Sequence, residues 1–100
     1  MAVVFLTITP IGTATPSVSG YVAGVERILR TSGLKHQLTA MGTIIEGDLD
    51  QVLKVVREMH EHPFTQGAVR VSTLVKIDDR RDKEHTIAGK MRSVEEKLKG

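Results

Sequence analysis

The clearest indication of the fold comes from Val69–Asp82, which reads VRVSTLVKIDDRRD. Its odd-numbered residues up to position 77 are four apolar residues and a threonine, while the even-numbered ones are mixed. Because successive side chains of a strand point to opposite faces, this pattern predicts a long strand in a sheet that is covered on both sides. Five charged residues, 78–82, follow where the alternation stops. They need a partner within the chain, from another subunit or from a ligand.

The length and composition of the chain predict one cytoplasmic domain over residues 1–100. A domain of 100 residues can bury a core without cross-links. The absence of cysteine excludes disulfides, thiolate catalysis and thiolate metal sites, and it fits a reducing compartment. No segment approaches the roughly 18 apolar residues of a membrane span. The first ten residues lack the basic start and cleavage site of a secretory signal.

The charge distribution argues against a nucleic-acid-binding protein. The net charge is only +2, and positive and negative residues are interspersed along the chain. A nucleic-acid interface needs a clustered basic surface. One tyrosine and two phenylalanines also offer few platforms for stacking bases.

The first quarter of the chain predicts a strand, a loop and a helix. Residues 2–9 alternate with bulky side chains on both faces, which predicts a central strand. Residues 10–16 form a loop rich in proline, glycine and threonine. A helix begins with Ser17 or Ser19 as its N-cap and runs to about Ser32, since apolar residues recur every three or four positions.

The middle of the chain predicts a hairpin and a second helix. Residues 35–41 and 43–47 read as two short strands around Gly42. Asp48 and Gln51 have the spacing of a capping box at a helix start. This helix is predicted to end before His62-Pro63, because the residue before a proline disfavours helical backbone. Its predicted buried stripe comprises Leu49, Val52, Leu53, Val56 and Met59.

A third helix is predicted from about Thr86, and it completes the order β-α-β-β-α-β-α. Its apolar seam is narrow and consists of Ile87, Met91, Val94 and Leu98. The first six elements correspond to the α+β, ferredoxin-like fold, an antiparallel sheet with two helices on one face. The other face would expose Val3, Phe5 and a row of valines, which is more apolar surface than soluble monomers usually tolerate. We therefore expect the chain to self-associate.

Hydroxyl residues gather around the start of the first helix. Thr13, Ser17 and Ser19 precede Tyr21, and free backbone N–H groups at a helix start suit an anion or the polar edge of a heterocycle. Helix capping alone is the alternative explanation for these residues.

Glu46 is the acidic residue that needs a partner. Thr43 and Ile45 share one face of their strand, while Ile44 and Glu46 share the other. A glutamate among apolar neighbours must meet a cation or stay hydrated. The two alternatives are a salt bridge to Arg70 or Lys76 and a counter-charge for a cationic ligand.

The charged tip favours a contact between subunits. Arginine grips carboxylates in pairs, and the run is nearly neutral and self-complementary. Direct ligand binding is the alternative. The tip residues assigned to this contact are Asp78, Asp79, Arg80 and Arg81.

No catalytic or metal-binding motif is recognisable. His60 and His62 are two residues apart, which on a helix places them on different faces. No metal-ligand spacing and no nucleophile with a base beside it occurs. We expect neither a catalytic residue, nor a metal, nor a cofactor.

Three segments together resemble a known family. They are PIGTATPSVSGYVAGV at 10–25, MGTIIEGDLDQVLKVV at 41–56 and RVSTLVKIDDRRD at 70–82. In order and spacing they resemble the thiamine-binding-like family of small cytosolic proteins, which is similar to one repeat of the YkoF-type thiamine and hydroxymethylpyrimidine binders. The resemblance implies a ferredoxin-like fold, dimers that pair into tetramers, and a site for thiamine or its pyrimidine half.

The chemistry of thiamine assigns roles to these residues. The aminopyrimidine edge needs donors and acceptors, which Thr13, Ser17, Ser19 and Thr43 can supply. Glu46 can neutralise the thiazolium cation and Tyr21 can face it. The site would lie where the first helix, its preceding loop and strand 43–46 converge. With few aromatic residues, we expect an affinity on the order of micromolar, about 8 kcal/mol.

The sequence therefore predicts a non-catalytic, homotetrameric small-molecule binder. A purely structural oligomer without a ligand is the first alternative. An enzyme that acts on a small anion through arginine or histidine is the second, although no catalytic constellation supports it.

Overall fold

The structure, a computed structural model, describes residues 1–12, 19–82 and 86–99. Strands and helices follow one another in the predicted order β-α-β-β-α-β-α. The elements are β1 (Ala2–Pro10), α1 (Ser19–Ser32), β2 (Lys35–Leu38), β3 (Thr43–Gly47), α2 (Leu49–Thr65), β4 (Val71–Asp79) and α3 (Ile87–Lys99).

The four strands form one antiparallel sheet in the order β2-β3-β1-β4. The predicted central position of β1 is therefore confirmed. β1 pairs with β4 along all nine residues, from Ala2 opposite Asp79 to Pro10 opposite Val71. It pairs with β3 only as far as Leu6, which lies opposite Thr43. Among the described strands, the last four residues of β1 thus have a neighbour on one side only.

The hydrophobic core lies between the sheet and helices α1 and α2. Alternate residues of β1 and Ile45 of β3 contribute the sheet side, because their side chains point to the same face. With both helices on that face, the predicted α+β, ferredoxin-like fold is confirmed. The buried core residues are Ala2, Val4, Leu6, Leu29, Ile45, Val52, Val55, Val56 and Met59.

Helix α2 differs from its prediction in two respects. Leu53 is 40% exposed, and Val55 is buried in its place. Leu53 is rotated by about 100° from Val52 around the helix axis, which turns it away from the sheet. The helix also continues through Pro63 to Thr65 instead of ending before His62. The proline ring is fully buried one turn after Met59, so packing holds it in the last helical turn.

The two ends of α2 are capped differently, and among the described residues only the C-terminal end has backbone capping bonds. The carbonyl of Pro63 accepts hydrogen bonds from the N–H groups of Gln66 (3.0 Å) and Ala68 (3.1 Å). At the other end Asp48 occupies the N-cap position with extended backbone, but its side chain makes no capping hydrogen bond. The side chain is exposed to water instead, so the predicted capping box with Gln51 is not formed.

The β2–β3 connection is a closed turn, and β2 is shorter than predicted. It ends at Leu38 because Thr39 turns the chain. The N–H of Thr39 donates to the carbonyl of Gly42 (2.8 Å), and the Thr39 hydroxyl accepts from the Gly42 N–H (3.1 Å). This turn stands beside the part of β1 that lacks a second neighbour.

Strand β4 is displaced by two residues from its prediction. It begins at Val71 and not at Val69, and its pairing continues through Asp78 and Asp79. The pleat therefore includes the first two charged residues of the tip. Val71 and Val75 point to the helix side of the sheet, so they are not part of an exposed row of valines on the other face.

Helix α3 covers only one end of the face opposite α1 and α2. Val3 is buried there, and Lys90 Nζ pairs with Asp78 Oδ2 at 2.6 Å. From Met91 onwards every described residue of α3 is exposed. The radius of gyration of 15.1 Å exceeds the ~13 Å typical of a compact domain of this length, because α3 projects from the body. No helix within the described ranges has the length and apolar character needed to cross a membrane.

We expect two identical truncations to differ sharply in cost. Leu29→Ala removes a fully buried side chain of α1 and should lower the unfolding free energy by about 2–5 kcal/mol. Leu53→Ala, at the position that periodicity alone would bury, should cost below about 1 kcal/mol. Denaturant unfolding measures both values. Equal costs would contradict the observed orientation of α2.

Candidate functional site

A cleft of about 410 Å³ lies between α1, the turn after β2 and the free end of β1. The cleft exists because the pairing of β1 with β3 ends where Leu6 lies opposite Thr43, while β1 continues to Pro10. The volume is in the lower range of small-molecule sites. Most of its walls are apolar, with a few polar side chains. It is lined by residues 6–10, Tyr21, Val22, Val25, Glu26, residues 38–43, Met59 and Pro63.

Two of the predicted ligand-binding residues meet in this cleft. Tyr21 reaches it from the first turns of α1, and the buried Thr43 reaches it from the start of β3. Ser19 is the first residue of α1. Thr13 and Ser17 lie outside the described residues.

Glu46 is not brought to the cleft, which corrects the predicted grouping. Thr43 and Glu46 are three residues apart on a strand, so their side chains point to opposite faces of the sheet. Glu46 is buried, and its Oε2 accepts a hydrogen bond from the backbone N–H of Ile87 at 2.7 Å. Within the described chain it pairs with neither Arg70 nor Lys76. The carboxylate instead stabilises the first turn of α3.

The acidic residue of the cleft is Glu26 of α1, which the sequence interpretation missed. Its side chain is only 20% exposed. Oε1 lies 2.9 Å from His36 Nε2 and 3.5 Å from Arg30 Nε. Oε2 is buried and accepts no hydrogen bond from any described residue. Its spacing in the sequence could have identified it. Glu26 lies four residues after Val22 and three before Leu29, which places a charge on the apolar side of the helix.

His36 fixes the orientation of Glu26. Its Nδ1 lies 2.9 Å from the carbonyl oxygen of Leu34, and its Nε2 faces Glu26. A ring that donates from both nitrogens is the protonated imidazolium. The hydrogen bond to the Leu34 carbonyl, followed by Glu26, therefore raises the pKa of His36, against the lowering effects of burial and of Arg30. The pair links α1 to β2 beside the cleft.

The charged tip forms ion pairs within the chain. Arg80 binds both carboxylate oxygens of Asp82, at 2.7 and 3.1 Å. Arg81 donates twice to Asp79 Oδ2, at 3.0 and 2.8 Å, and this hydrogen bonding lowers the pKa of Asp79. Asp78 pairs with Lys90 of α3. Exposed pairs of this kind contribute little to stability, so these groups can exchange partners.

The histidines of α2 lie away from the cleft lining and make contacts of their own. His60 Nδ1 lies 2.7 Å from Thr73 Oγ1, which joins α2 to β4. The His62 ring packs against Gly24 of α1, where a Cβ atom would overlap it. In the described part of the chain, no three histidine, aspartate or glutamate side chains are grouped so that they could hold a metal ion.

Comparisons with known proteins agree with this architecture. The sequence model of the family described as thiamine-binding protein matches residues 4–95. The chain is 49% identical over 102 residues to the UPF0045 protein YqgV of Bacillus subtilis, covering 98% of each chain. The crystal structure of the hypothetical protein MJ1052 of Methanocaldococcus jannaschii superposes with a TM-score of 0.85. That protein is 39% identical, with coverage of 95% of this chain and 96% of the other.

A more distant structure shares the fold alone. It comes from Thermotoga maritima and is described as a candidate thiamine biosynthesis or salvage protein. Its TM-score is 0.76 at 18% identity, with coverage of 93% of this chain and 97% of the other. The family model covers more than nine-tenths of the chain, and the Bacillus subtilis relative matches it nearly end to end. The chain therefore belongs to the thiamine-binding protein family.

Proposed function

We propose that this protein is a non-catalytic binder of thiamine or a related aminopyrimidine, which it holds in the cleft beside Glu26. The observation that carries the proposal is the buried Oε2 of Glu26, which has no hydrogen-bond partner among the described residues and lies in a mostly apolar cleft. Membership of the thiamine-binding family supports it. So does the description of the Thermotoga maritima neighbour, which names thiamine biosynthesis or salvage.

The chemistry of the cleft matches such a ligand. A buried carboxylate oxygen without a hydrogen bond costs about 1–3 kcal/mol, and a ligand that donates an N–H removes this cost. Thiamine offers both an amino group and a permanent cation. Tyr21 supplies an aromatic face for the cation, and the Thr43 hydroxyl can donate or accept. Glu26, and not Glu46 as the sequence predicted, supplies the negative charge opposite the thiazolium cation. Thr13, Ser17 and Ser19 remain predicted contacts.

We further propose that the protein is a homo-oligomer, built as a dimer of dimers. Apolar side chains of the open sheet face and of the α3 seam are largely exposed in one copy: Leu74 by 62%, Met91 by 59%, Val94 by 54% and Leu98 by 81%. A second copy of the chain packed on this surface would bury these apolar side chains. The charged tip, with Asp78, Asp79, Arg80 and Arg81, is the proposed polar rim of the contact. The cytoplasmic location stays a prediction.

Calorimetry with a matched pair of variants tests the binding site. We expect thiamine and hydroxymethylpyrimidine to bind the unmodified protein with an affinity on the order of micromolar. Glu26→Gln, which keeps the shape but removes the charge, should weaken thiamine binding about tenfold or more. Glu46→Gln on the other face should leave binding unchanged. No heat with either ligand would favour the structural oligomer, and turnover abolished by Glu26→Gln would favour an enzyme.

The His36–Glu26 pair should make stability depend on pH. Because the folded state raises the pKa of His36 above 6.5, its contribution is complete below that pH and is lost as the pH rises through the folded pKa. The unfolding free energy should therefore fall over this window. Denaturant unfolding of the protein and of His36→Gln at several pH values isolates the effect. Identical pH profiles would contradict it.

Light scattering tests the assembly. Val94→Asp places a charge in the apolar seam of α3 and should reduce the mass to that of a monomer. Ser93→Asp introduces the same charge on the other side of the helix and should leave the oligomer intact. A monomeric unmodified protein would remove the proposal. An unchanged tetramer after joint Arg80→Ala and Arg81→Ala substitution would exclude the tip from the contact.

A further inference from the structure

The end of β1 presents an unpaired backbone edge to the cleft. β4 pairs with every residue of this strand, but β3 pairs with it only up to Leu6. Residues 7–10 therefore have one side without a neighbouring strand in the described structure. The same residues line the cleft. Backbone N–H and C=O groups that point to this side need a partner from elsewhere.

The pairing register identifies which residue offers both groups. The N–H of Ile11 donates to the carbonyl of Arg70 at 2.9 Å, so Ile11 belongs to a hydrogen-bonded pair with the strand at β4. Hydrogen-bonded and non-hydrogen-bonded pairs alternate along an antiparallel ladder. Thr9 and Thr7 therefore also direct their backbone groups towards β4. Leu6 and Ile8 direct theirs to the opposite side.

Leu6 and Ile8 differ in what they meet on that side. Leu6 lies opposite Thr43 of β3 and exchanges its hydrogen bonds there. Ile8 lies two residues beyond Leu6, past the last residue that β3 pairs with. It lies at the wall of the cleft, and its side chain packs on the core. Pro10, the next residue in the same phase, has no N–H. Among the described residues of β1, Ile8 is thus the one that offers the cleft a donor and an acceptor together.

We propose that the backbone N–H and C=O of Ile8 bind the edge of a planar heterocycle in which an amino group is adjacent to a ring nitrogen. This inference rests on the proposed function and specifies which part of the ligand the cleft recognises. A strand residue in a hydrogen-bonded pair exchanges two bonds with one opposite residue. The ligand edge takes the place of that residue: the ring nitrogen accepts from the Ile8 N–H, and the amino group donates to its carbonyl.

Glu26 reinforces the same choice of ligand. Its carboxylate lines the cleft and can accept a second N–H of the amino group or face a cationic substituent. An oxo group at the position of the amino group would bring an acceptor towards the Ile8 carbonyl and the carboxylate. The cleft should therefore discriminate between an aminopyrimidine and its oxo analogue, although the two have almost the same shape.

A pair of ligands tests this selectivity. The full chain is titrated with thiamine and with oxythiamine, in which an oxo group replaces the pyrimidine amino group. The two ligands carry the same thiazolium and differ only in this pyrimidine edge. We expect oxythiamine to bind at least tenfold more weakly. Equal affinity would overturn the role of Ile8 and leave the proposed function standing. Failure of both ligands to bind would overturn the proposed function and this inference with it.

Amide hydrogen exchange measured by NMR tests the backbone geometry directly. In the free protein the Ile8 amide should exchange much faster than the amides of Leu6 and Thr9, which are paired with β3 and β4 respectively. Saturating thiamine should slow exchange at Ile8 at least tenfold and leave Thr9 unchanged. An Ile8 amide as protected as Leu6 without ligand would overturn the inference. Thiamine binding with no change at Ile8 would overturn it as well.

Discussion

The structure depends on the unequal pairing of β1 with its two neighbours. β4 pairs with all nine residues of β1, whereas β3 pairs only with Ala2–Leu6 and leaves the last four residues of β1 without a partner on that side in the described structure. The paired part supplies Val4 and Leu6 to the core. The remaining part forms a wall of the cleft, and it keeps its shape because β4 holds it from the other side. The same strand thus provides both the rigid centre of the sheet and the open edge of the site.

The helix side of the sheet combines this edge with a constrained carboxylate. Glu26 is held through one oxygen by His36 and Arg30, while its other oxygen accepts no hydrogen bond from the residues that the structure describes. A side chain fixed by neighbours in this way loses little freedom when a ligand arrives, which favours binding. The turn that begins at Thr39 encloses the cleft with backbone and hydroxyl hydrogen bonds of its own. Glu26 and the turn that begins at Thr39 are therefore both held in place by contacts within the chain.

The sequence predicted the strands and helices of the fold more completely than the way they turn towards one another. Alternation and helical periodicity predicted all seven elements, because these patterns reflect local geometry. Periodicity placed Leu53 in the core, since it does not state which direction a helix turns towards its sheet. The rule that the residue before a proline disfavours helical backbone ended α2 before His62-Pro63. The proline is retained in the helix by tertiary packing that local rules do not include.

For the cleft, the local sequence patterns indicated the types of residue that line it and the order in which strands and helices carry them. Tyr21 and Thr43 were predicted as contacts, and both line the cleft, because each stands at the start of its own element. The fold in three dimensions settles which acid lines the cleft: Glu46 turns to the other face and holds α3, while Glu26 of α1 lies at the cleft, hydrogen-bonded to His36 of β2. The backbone edge of Ile8 that no described strand pairs with likewise follows from the relative lengths of β1 and β3 after pairing. Both features depend on how separate strands and helices pair and pack, and the residue pattern within one strand or helix does not contain this information.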